Sequence, residues 1–473
     1  MKILMLSLLR LGDIILHRQL LQAARRQHPQ AELHLLIYSQ FSSVKALLPE
    51  VEVWHELDRK QIQNILVERQ QSPIQAFESL KGVMDELNQE NFDLVFNLTH
   101  NRFSVRLMDL IQAKEKRGVS FTQGRKVPDA NAWQTYLNEN FSEIQGSRFH
   151  YLEVLQKSLG LPFSTPEMAD SRQEPLILLQ LLTSDEKKNW GLKRFYDLKA
   201  QLQEHFPYHR ILGMCSPQEK EQVSKVFAWN EFLSTSLEEA KGLLREASLL
   251  ITGDTSVQHL AAQEACPVIS LFLGSADAVK TAPWQLGAWV IQGQAACAPC
   301  SHSGPCHQAR HVCAESVSVD QVAQLAIGVL QGHARKMSSS RPRIFQAHLL
   351  SENVEESMEQ LVWSSYLNKT EEIEIEDFAI SNSELRRLER QNSQFLVAIS
   401  KAKNGELSIE QIEKRFPMWK DSLIRWKRDF QFIEEVEGIA RIRTEILRQL
   451  TQRMEAEHGR SKRPASQEHF AEA

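Results

Sequence analysis

The stretch Ile3-Leu-Met-Leu-Ser-Leu8 decides the fold, because this uninterrupted apolar run leads into the short turn Leu9-Arg-Leu-Gly-Asp13. A brief apolar run of this kind is typical of a strand buried on both faces of a parallel sheet. Apolar residues then recur at helical spacing at Ile14, Ile15, Leu20 and Leu21. The stretch therefore predicts a strand, a tight turn and a helix, which is the first unit of an α/β fold.

The whole chain has 473 residues, with 55 Lys and Arg against 60 Asp and Glu, for a formal charge of -5. Its length and 42% hydrophobic content allow two or three cores and exclude a disordered or collagen-like chain. The charge does not favour nucleic acid as a partner. No apolar run reaches the roughly 18 residues of a membrane-spanning helix, and Lys2 and Arg10 interrupt the opening run. We predict a cytoplasmic protein without an export signal.

The strand-helix alternation continues along the chain in two series. We predict strands at residues 3–8, 33–38, 51–57, 92–98 and 118–121, and then at 176–182, 210–215, 231–235, 249–252, 268–273 and 288–291. Gly160-Leu-Pro-Phe-Ser-Thr-Pro166 and the polar residues 167–174 separate the series, as a hinge would. The fold class is therefore α/β, with doubly wound lobes at 1–165 and 175–335 that face one another across a cleft.

The composition changes beyond residue 335, where helix-forming charged residues dominate. We predict an all-helical extension over residues 340–455 and a disordered tail over 456–473. Two amphipathic stripes mark its helices, Leu385, Leu388, Phe395 and Ile399 in one, and Phe416, Trp419, Leu423, Trp426, Phe430 and Ile433 in the other. Such stripes indicate packing surfaces. Docking of a protein partner, or of DNA through residues 407–416, is an alternative use of the segment.

Asp13 is a candidate general base, because it lies at a strand-to-helix turn that opens on the cleft. The helix N-terminus favours its ionised form, and Gly12 allows a substrate to approach the backbone. The alternative is an ordinary helix N-cap, a position for which Asp is well suited.

The densest polar block is Ile251-Thr-Gly-Asp-Thr-Ser-Val-Gln-His-Leu-Ala-Ala262. A predicted strand ends there and a helix begins, so Asp254, Thr255 and Ser256 fall at a helix N-terminus, where backbone N–H groups bind phosphate. His259 lies one turn further on, where it is either a ligand contact or a structural histidine. Thr183, Ser184 and Lys188 follow the first strand of the second lobe and also suit phosphate oxygens. A solvated lysine pair is the alternative for this loop.

Four of the six cysteines, Cys297, Cys300, Cys306 and Cys313, form a C-x2-C-x5-C-x6-C pattern in the loop 297–313. The close first pair has the spacing that lets two thiolates share one ion, and four sulfurs complete a tetrahedral shell. A structural zinc or iron site is the favoured interpretation. His302, His307 and His311 are substitute ligands in that case, while reduced thiols or two disulfides are the alternatives.

In these residues the chain resembles the glycosyltransferase family 9 heptosyltransferases, which move heptose from ADP-heptose to the lipopolysaccharide core. The likeness spans roughly residues 1–330. Its parts are Gly12-Asp13, Phe92-Asp-Leu-Val-Phe-Asn-Leu98 before Arg117-Gly118, Lys188-Asn-Trp190, Asp254-Thr255, and His259-Leu-Ala-Ala262 before Pro267 and Gly274. The resemblance implies a GT-B fold of two facing Rossmann-like lobes and an inverting, metal-independent transfer that requires no cofactor.

The resemblance also implies roles for individual residues. Asp13 matches the catalytic base. The donor-binding positions are Thr183, Ser184, Lys188, Glu219, Thr235, Asp254, Thr255, Ser256 and His259, with Glu221 as the alternative to Glu219 for the ribose. Ser256 departs from the glycine usual in the family, which leaves the identity of the donor sugar open.

The expected acceptor, lipid A-core at the inner membrane surface, is anionic. The candidate acceptor contacts are Arg10, Arg18, Arg102 and Arg106, with His100 and Asn101 beside them.

Autotransporter heptosyltransferases, which glycosylate proteins, resemble this chain in carrying a cysteine-bound iron, and they assemble into rings. A polypeptide acceptor and a homo-oligomer are therefore further hypotheses, and a catalytically idle binding scaffold is another.

Overall fold

The computed structural model describes residues 1–59, 73–122, 125–139, 148–170, 174–301, 304–334, 342–347, 354–368, 380–404, 406–416 and 433–461. The chain divides into two compact units, Met1–Leu349 and Leu350–Ala473. The first unit holds two sheets, and the second is helical over its described residues.

The first sheet has five strands in the order β3-β2-β1-β4-β5, all parallel. They are β1 (Lys2–Leu6), β2 (Glu32–Tyr38), β3 (Val53–Leu57), β4 (Phe92–Asn97) and β5 (Ala113–Arg117). Residues 3–6 of β1 are completely buried, because helices cover both faces of a sheet of this type. This strand order is that of a Rossmann-like lobe.

A separate two-stranded ribbon follows, β6 (Phe121–Thr122) with β7 (Arg125–Lys126). The second large sheet has the order β10-β9-β8-β11-β12-β13-β14. Its strands are β8 (Leu176–Gln180), β9 (Arg210–Cys215), β10 (Phe232–Ser234), β11 (Leu249–Gly253), β12 (Val268–Phe272), β13 (Trp289–Gln292) and β14 (Arg343–Gln346). β14 is antiparallel to β13 and the other pairs are parallel. This sheet repeats the strand order of the first.

Helices connect the strands of both sheets. In the first lobe they are α1 (Leu11–Leu16), α2 (Arg18–Gln27), α3 (Pro73–Gln89), α4 (Arg102–Leu110), α5 (Ala132–Glu139) and α6 (Tyr151–Leu159). In the second they are α7 (Leu192–His205), α8 (Lys220–Val223), α9 (Leu237–Glu246), α10 (Ser256–Gln263), α11 (Ala278–Thr281), α12 (Val312–Glu315) and α13 (Val319–Leu330). Short 3-10 turns lie at Ser39–Leu47, Glu186–Lys188 and Pro217–Glu219.

Two predictions about the sheets are wrong. The strand expected at 118–121 lies at Ala113–Arg117, whose run Ala-Lys-Glu-Lys-Arg carries no apolar signal because it is a half-exposed edge strand. The second lobe was expected to end at residue 335, but β14 pairs with β13 beyond that point and the compact unit extends to Leu349. The two predicted α/β lobes are otherwise present, in agreement with the predicted GT-B architecture.

The second unit contains α14 (Val354–Asn368), α15 (Asn382–Lys403), α16 (Ile409–Arg415) and α17 (Ile433–Ser461). The first predicted stripe is confirmed, since its members on α15 are all buried. Most of the second stripe lies outside the described residues. α17 continues to Ser461, so the prediction of a disordered tail is wrong for its first six residues, 456–461. Residues 462–473 lie outside the described part of the chain. In the portion of the chain that the structure covers, no helix is both long and apolar enough to cross a membrane.

Candidate functional site

The functional side chains come from the two positions where the strand order reverses. In the first sheet this point lies between β1 and β4, which Asp13 and His100 follow. In the second it lies between β8 and β11, which Lys188 and Asp254 follow. Ligands of open α/β sheets bind outside the carboxyl ends of strands at such switch points. The topology therefore points to these residues in each lobe.

Asp13 lies half-buried in the first turn of α1. Its Oδ2 accepts a hydrogen bond from the backbone N–H of Arg10 at 3.1 Å. Burial raises the pKa of the carboxyl to about 6, with Asp254 adding to the rise while Arg10 and Lys188 oppose it. A carboxylate with such a pKa is mostly ionised at neutral pH and still basic enough to accept a proton.

The second lobe has a helix N-terminus, the kind of position that binds anions, at the start of α10. Thr255 is the N-cap, and its Oγ1 accepts a hydrogen bond from Val257 N–H at 3.2 Å. Ser256 is the first helical residue, so its N–H belongs to the unpaired donors of the first turn. His259 lies one turn into the helix and is 6% exposed. These three predicted positions, together with Asp254, lie at one end of a helix.

The loop after β8 lies beside that helix end. Thr183 is held in place because its N–H donates to Asn189 Oδ1 at 2.8 Å and its Oγ1 donates to the Asp185 carbonyl at 2.7 Å. Ser184 is exposed. A Cβ added at Gly253 would lie 2.8 Å from Thr183 Cγ2, so the close packing of loop and strand requires glycine there.

Lys188 and Asp254 form an ion pair in the crevice, with Nζ 2.5 Å from Oδ2 and each side chain only 11% exposed. The other carboxylate oxygen of Asp254 accepts from Gln258 Nε2 at 2.7 Å. Both oxygens are thus engaged, and the ammonium is held at the mouth of the α10 N-terminus. An incoming phosphate would find a cation already positioned beside the helix end.

The two lobes meet at this point. A Cβ added at Gly12 would lie 3.5 Å from Ser256 Cα and 3.5 Å from His259 Cδ2, so α1 and α10 pack directly against one another. Gln263 Nε2 donates to the Ile15 carbonyl further along the same contact. Asp13 is close enough to Asp254 and Lys188 for both to influence its pKa. The predicted base and the predicted phosphate cradle therefore share one crevice.

Glu219 and Thr235 follow β9 and β10, the next two strands outward from β8. Glu219 is half-buried and its Oε2 accepts from Ser216 N–H at 2.8 Å, which fixes its backbone turn. Glu221, the alternative for the same role, is exposed and lies in α8. Thr235 is half-buried, and its N–H donates to the Cys215 carbonyl at 3.0 Å.

The predicted acceptor contacts differ in their surroundings. Arg18 donates through Nε to both carboxylate oxygens of Glu50, at 2.9 and 3.1 Å, so its guanidinium already has an ionic partner. Asn101 is the N-cap of α4, with Oδ1 accepting from Ser104 N–H at 2.8 Å. Arg106 stacks over the Phe121 ring at 4.5 Å. Arg10 and Arg102 are exposed. Of this set, the exposed arginines are best placed to meet a large anionic partner.

Sequence reasoning missed two residues of the crevice, His17 and Tyr151. His17 is completely buried and its Nδ1 lies 2.8 Å from Ser7 Oγ. Tyr151, at the start of α6, donates to the Leu98 carbonyl at 2.9 Å, and burial followed by the charge of Asp13 raises its pKa. His17 lies four residues after Asp13 on the same helical face, which is a signal that the sequence does contain.

The loop that holds the four cysteines, residues 297–313, contacts the loop after β8 at Lys187. Lys187 Nζ donates to the carbonyls of Ser301 and Gly304, both at 2.8 Å, and His311 Nε2 lies 2.8 Å from the Lys187 carbonyl oxygen. Cys297 and Cys306 are exposed, Cys300 is half-buried and Cys313 is buried. His302 lies outside the described residues, and His307 is exposed.

The four thiols are close neighbours without forming a finished metal shell. Burial raises the pKa of Cys300 and Cys313, and each is also influenced by Cys297. Among the described residues, the set with three ligand atoms within 4.8 Å of one another is Glu32, His34 and Glu90, and the sulfurs form no such set. The Lys2 ammonium already pairs with both glutamates of that set. The cysteines thus suit a soft ion in their chemistry, but the loop must tighten to bind one.

Comparison with known proteins agrees with the two-lobed fold. Residues 82–309 match the profile of glycosyltransferase family 9 (heptosyltransferase). The fold is similar to the Escherichia coli heptosyltransferase WaaC with ADP-2-deoxy-2-fluoro heptose, at 18% identity and a TM-score of 0.50, over 69% of this chain and 99% of that one. It is equally similar, with 18% identity and a TM-score of 0.50, to a family 9 glycosyltransferase from Veillonella parvula, over 70% of this chain and 97% of the other. The comparison with curated proteins found no match.

The match of residues 82–309 to a glycosyltransferase family, together with the two-lobed GT-B fold, defines the class of protein, a glycosyltransferase. The family match identifies residues 82–309 as a glycosyltransferase family 9 (heptosyltransferase) domain. The matched range begins after Asp13, so the role of that residue depends on the geometry of the crevice.

Proposed function

We propose that the chain transfers a heptose or closely related sugar from an ADP-activated donor to a hydroxyl group of the lipopolysaccharide inner core, with inversion at the anomeric carbon. The observation that supports this most strongly is the position of Asp13 beside Lys188 and the N-terminus of α10. A general base and a diphosphate site must lie within one sugar ring of each other for such a transfer.

Each group then has one task in the reaction. Asp13 accepts the proton of the acceptor hydroxyl while its oxygen forms the new bond to the anomeric carbon. The bond between that carbon and the donor phosphate breaks, and ADP leaves with the electron pair. Lys188 and the N–H groups of Thr255 and Ser256 stabilise the negative charge that develops on the leaving phosphate.

The ion pair between Lys188 and Asp254 implies an exchange of partners during donor binding. The ammonium turns from Asp254 Oδ2 toward the diphosphate, or is shared between the two. Asp254 keeps its hydrogen bond from Gln258 and gains a free oxygen, which can accept a hydrogen bond from a sugar hydroxyl. Donor binding would thereby create its own sugar contact.

We place the nucleotide along the carboxyl edge of the second sheet, because the order of the strands there supports it. β9 and β10 lie about 5 and 10 Å beyond β8, since neighbouring strands are about 4.8 Å apart. We therefore assign Glu219, after β9, to the ribose hydroxyls and Thr235, after β10, to the base. This order, from Lys188 outward, matches the order of groups in a nucleoside diphosphate.

The proposed acceptor is anionic and is bound at a membrane surface. The exposed side chains of Arg10 and Arg102 support an anionic lipid A-core acceptor, bound by an enzyme peripheral to the cytoplasmic face of the inner membrane. A polypeptide acceptor is the second candidate.

The proposal is tested with the full chain and ADP-heptose. Titration calorimetry should show tighter binding of ADP-heptose than of UDP-glucose, and ADP release should accelerate when heptose-free lipid A-core is added. Release that accelerates only with a polypeptide acceptor would replace the lipid acceptor with a protein one. A chain that binds no ADP-sugar would contradict the proposed donor.

We further propose that Cys297, Cys300, Cys306 and Cys313 bind one structural zinc or iron ion. When bound, the ion would cross-link the cysteine-containing loop, whose Ser301 and Gly304 carbonyls accept hydrogen bonds from Lys187 in the loop after β8. Elemental analysis of protein purified without chelator should find one ion per chain, and Cys306→Ser should lower both the ion content and the melting temperature. Unchanged melting after chelation would contradict a structural ion.

A further inference from the structure

A group of metal-ligating side chains lies at the amino edge of the first sheet. Glu32 and His34 come from the start of β2, and Glu90 follows the last residue of α3. One ligand atom of each, a carboxylate oxygen or an imidazole nitrogen, lies within 4.8 Å of the other two. Asp13 lies beyond the opposite, carboxyl end of β1. These three residues, the Glu-His-Glu cluster, are therefore separate from the crevice.

His34 is held in place on two sides. Its completely buried ring meets the Phe92 ring edge-on, with centroids 5.1 Å apart, and its Nδ1 lies 2.9 Å from His55 Nε2. This leaves Nε2 facing the cluster, 2.7 Å from Glu32 Oε1. Burial lowers the pKa of His55 to about 4, so that its neutral ring can accept a hydrogen bond from His34 Nδ1–H. A metal-ligating histidine typically donates its other ring N–H to such an acceptor.

The charge of the cluster favours a divalent cation. Its two carboxylates face one ammonium, with Lys2 Nζ 2.5 Å from Glu90 Oε2 and 3.7 Å from Glu32 Oε1. One negative charge is therefore unbalanced within this group, and the ammonium marks the place that a cation takes. The side chain of Lys2 is 39% exposed, so it can turn into solvent without leaving a buried charge behind.

The ligand atoms need only small movements to close around an ion. In a tetrahedral site with bonds of about 2.1 Å, ligand atoms are about 3.4 Å apart. The side chains of Glu32 and Glu90 are 45% and 29% exposed, which gives both carboxylates room to adjust around the fixed ring of His34. Imidazole and carboxylate ligands together suit ions such as Zn²⁺ and Mn²⁺.

We propose that Glu32, His34 and Glu90 bind one divalent transition-metal ion, which takes the place of the Lys2 ammonium. The bound ion would link the start of β2 to the turn between α3 and β4. The site would thereby stabilise the first lobe, because a ligand that binds only the folded chain raises its stability. The inference does not depend on the proposed glycosyl transfer.

The test titrates Mn²⁺ into the chelator-treated full chain and follows free Mn²⁺ by electron paramagnetic resonance. Mn²⁺ is the probe because the thiolates of the four cysteines prefer softer ions. Glu90→Gln should weaken binding about 100-fold and His55→Leu about 10-fold, since the first removes a ligand and the second an acceptor for His34. Lys2→Met should tighten binding, because the competing ammonium is lost. Glu115→Gln, which changes an exposed glutamate of β5 paired with Arg117, is the control and should have no effect.

The melting temperature provides a second readout. Mn²⁺ should raise it in the wild type and in Glu115→Gln but not in Glu90→Gln, while the affinity for ADP stays the same in all of them. Equal Mn²⁺ binding by wild type and Glu90→Gln would mean an adventitious ion only and would overturn the site. Binding that His55→Leu leaves unchanged would reduce it to a diffuse attraction between charges, and an absence of bound ion at about 1 mM Mn²⁺ would also overturn it.

Discussion

Replacing Asp13 by asparagine should stabilise the folded enzyme while it destroys the general base. In the folded chain the carboxyl is half-buried and near enough to Asp254 to be influenced by its charge, and its pKa rises from 3.8 to about 6. Asparagine has nearly the same shape and can still accept the hydrogen bond from Arg10 N–H with Oδ1. The substitution therefore removes mainly the cost of burying a charge.

The magnitude follows from the difference between the two pKa values. A folded-state pKa above the unfolded one means that the folded protein binds the proton more tightly, so stability falls as pH rises from about 4 to about 6. At about 1.4 kcal/mol per pKa unit, ionised Asp13 costs about 3 kcal/mol at pH 8 and about 1.5 kcal/mol at pH 5. Asp13 is half-buried, so these values are upper limits.

Hydrogen exchange of the β1 amides, Lys2–Leu6, measures the unfolding free energy of the first unit in wild type and Asp13→Asn. The free energy of unfolding should be higher for Asp13→Asn than for the wild type, and the difference at pH 8 should be about twice the difference at pH 5. Asp197→Asn, which removes an exposed carboxylate paired with Lys193, is the control for a general charge effect. A variant that is less stable than the wild type at pH 8, or an advantage independent of pH, would refute the assigned burial of Asp13.

Two further substitutions test the second lobe. Lys188→Met should weaken ADP binding about 10- to 100-fold, as measured by calorimetry, because the phosphate loses its cation. Lys199→Met, outside the crevice, is the control and should leave ADP binding unchanged. Equal losses in the two variants would contradict a phosphate site at Lys188. Gly253→Ala places a Cβ 2.8 Å from Thr183 Cγ2 and should lower stability by about 1–3 kcal/mol and raise the KM for the donor. Gly242→Ala is the matched control, because nothing in the described chain lies within 4 Å of the added Cβ on its helix, and it should stabilise by up to about 1 kcal/mol.

The fold was predictable from the sequence wherever a strand is buried on both faces and is therefore apolar throughout. Central strands such as β1 and β11 are covered on both faces and therefore appear as apolar runs. The charged β5 and the late β14 contain no apolar run. They are edge strands, which form because a neighbouring strand offers hydrogen-bonding partners and not because of their own composition. Both errors in the sheets arose at edges for this reason.

The candidate site divides in the same way. Asp254 could be singled out because it directly follows an apolar strand, and Asp13 because it follows one across a short turn. The partner of Arg18 could not, since Glu50 lies 32 residues away and the pairing depends on how α2 packs. The convergence of His17 with His259 likewise depends on the contact of α1 with α10, which local patterning does not encode.

The central claim, that Asp13 acts as a base tuned by its burial in the crevice, is tested most directly by the pH dependence of kcat/KM for ADP release with acceptor present. We expect log kcat/KM to rise with a slope of one and to level off near pH 6. Asp13→Asn should lose at least about 10²-fold activity together with this inflection. A profile that is flat between pH 5 and 7, or an Asp13→Asn variant that keeps the wild-type profile, would contradict it.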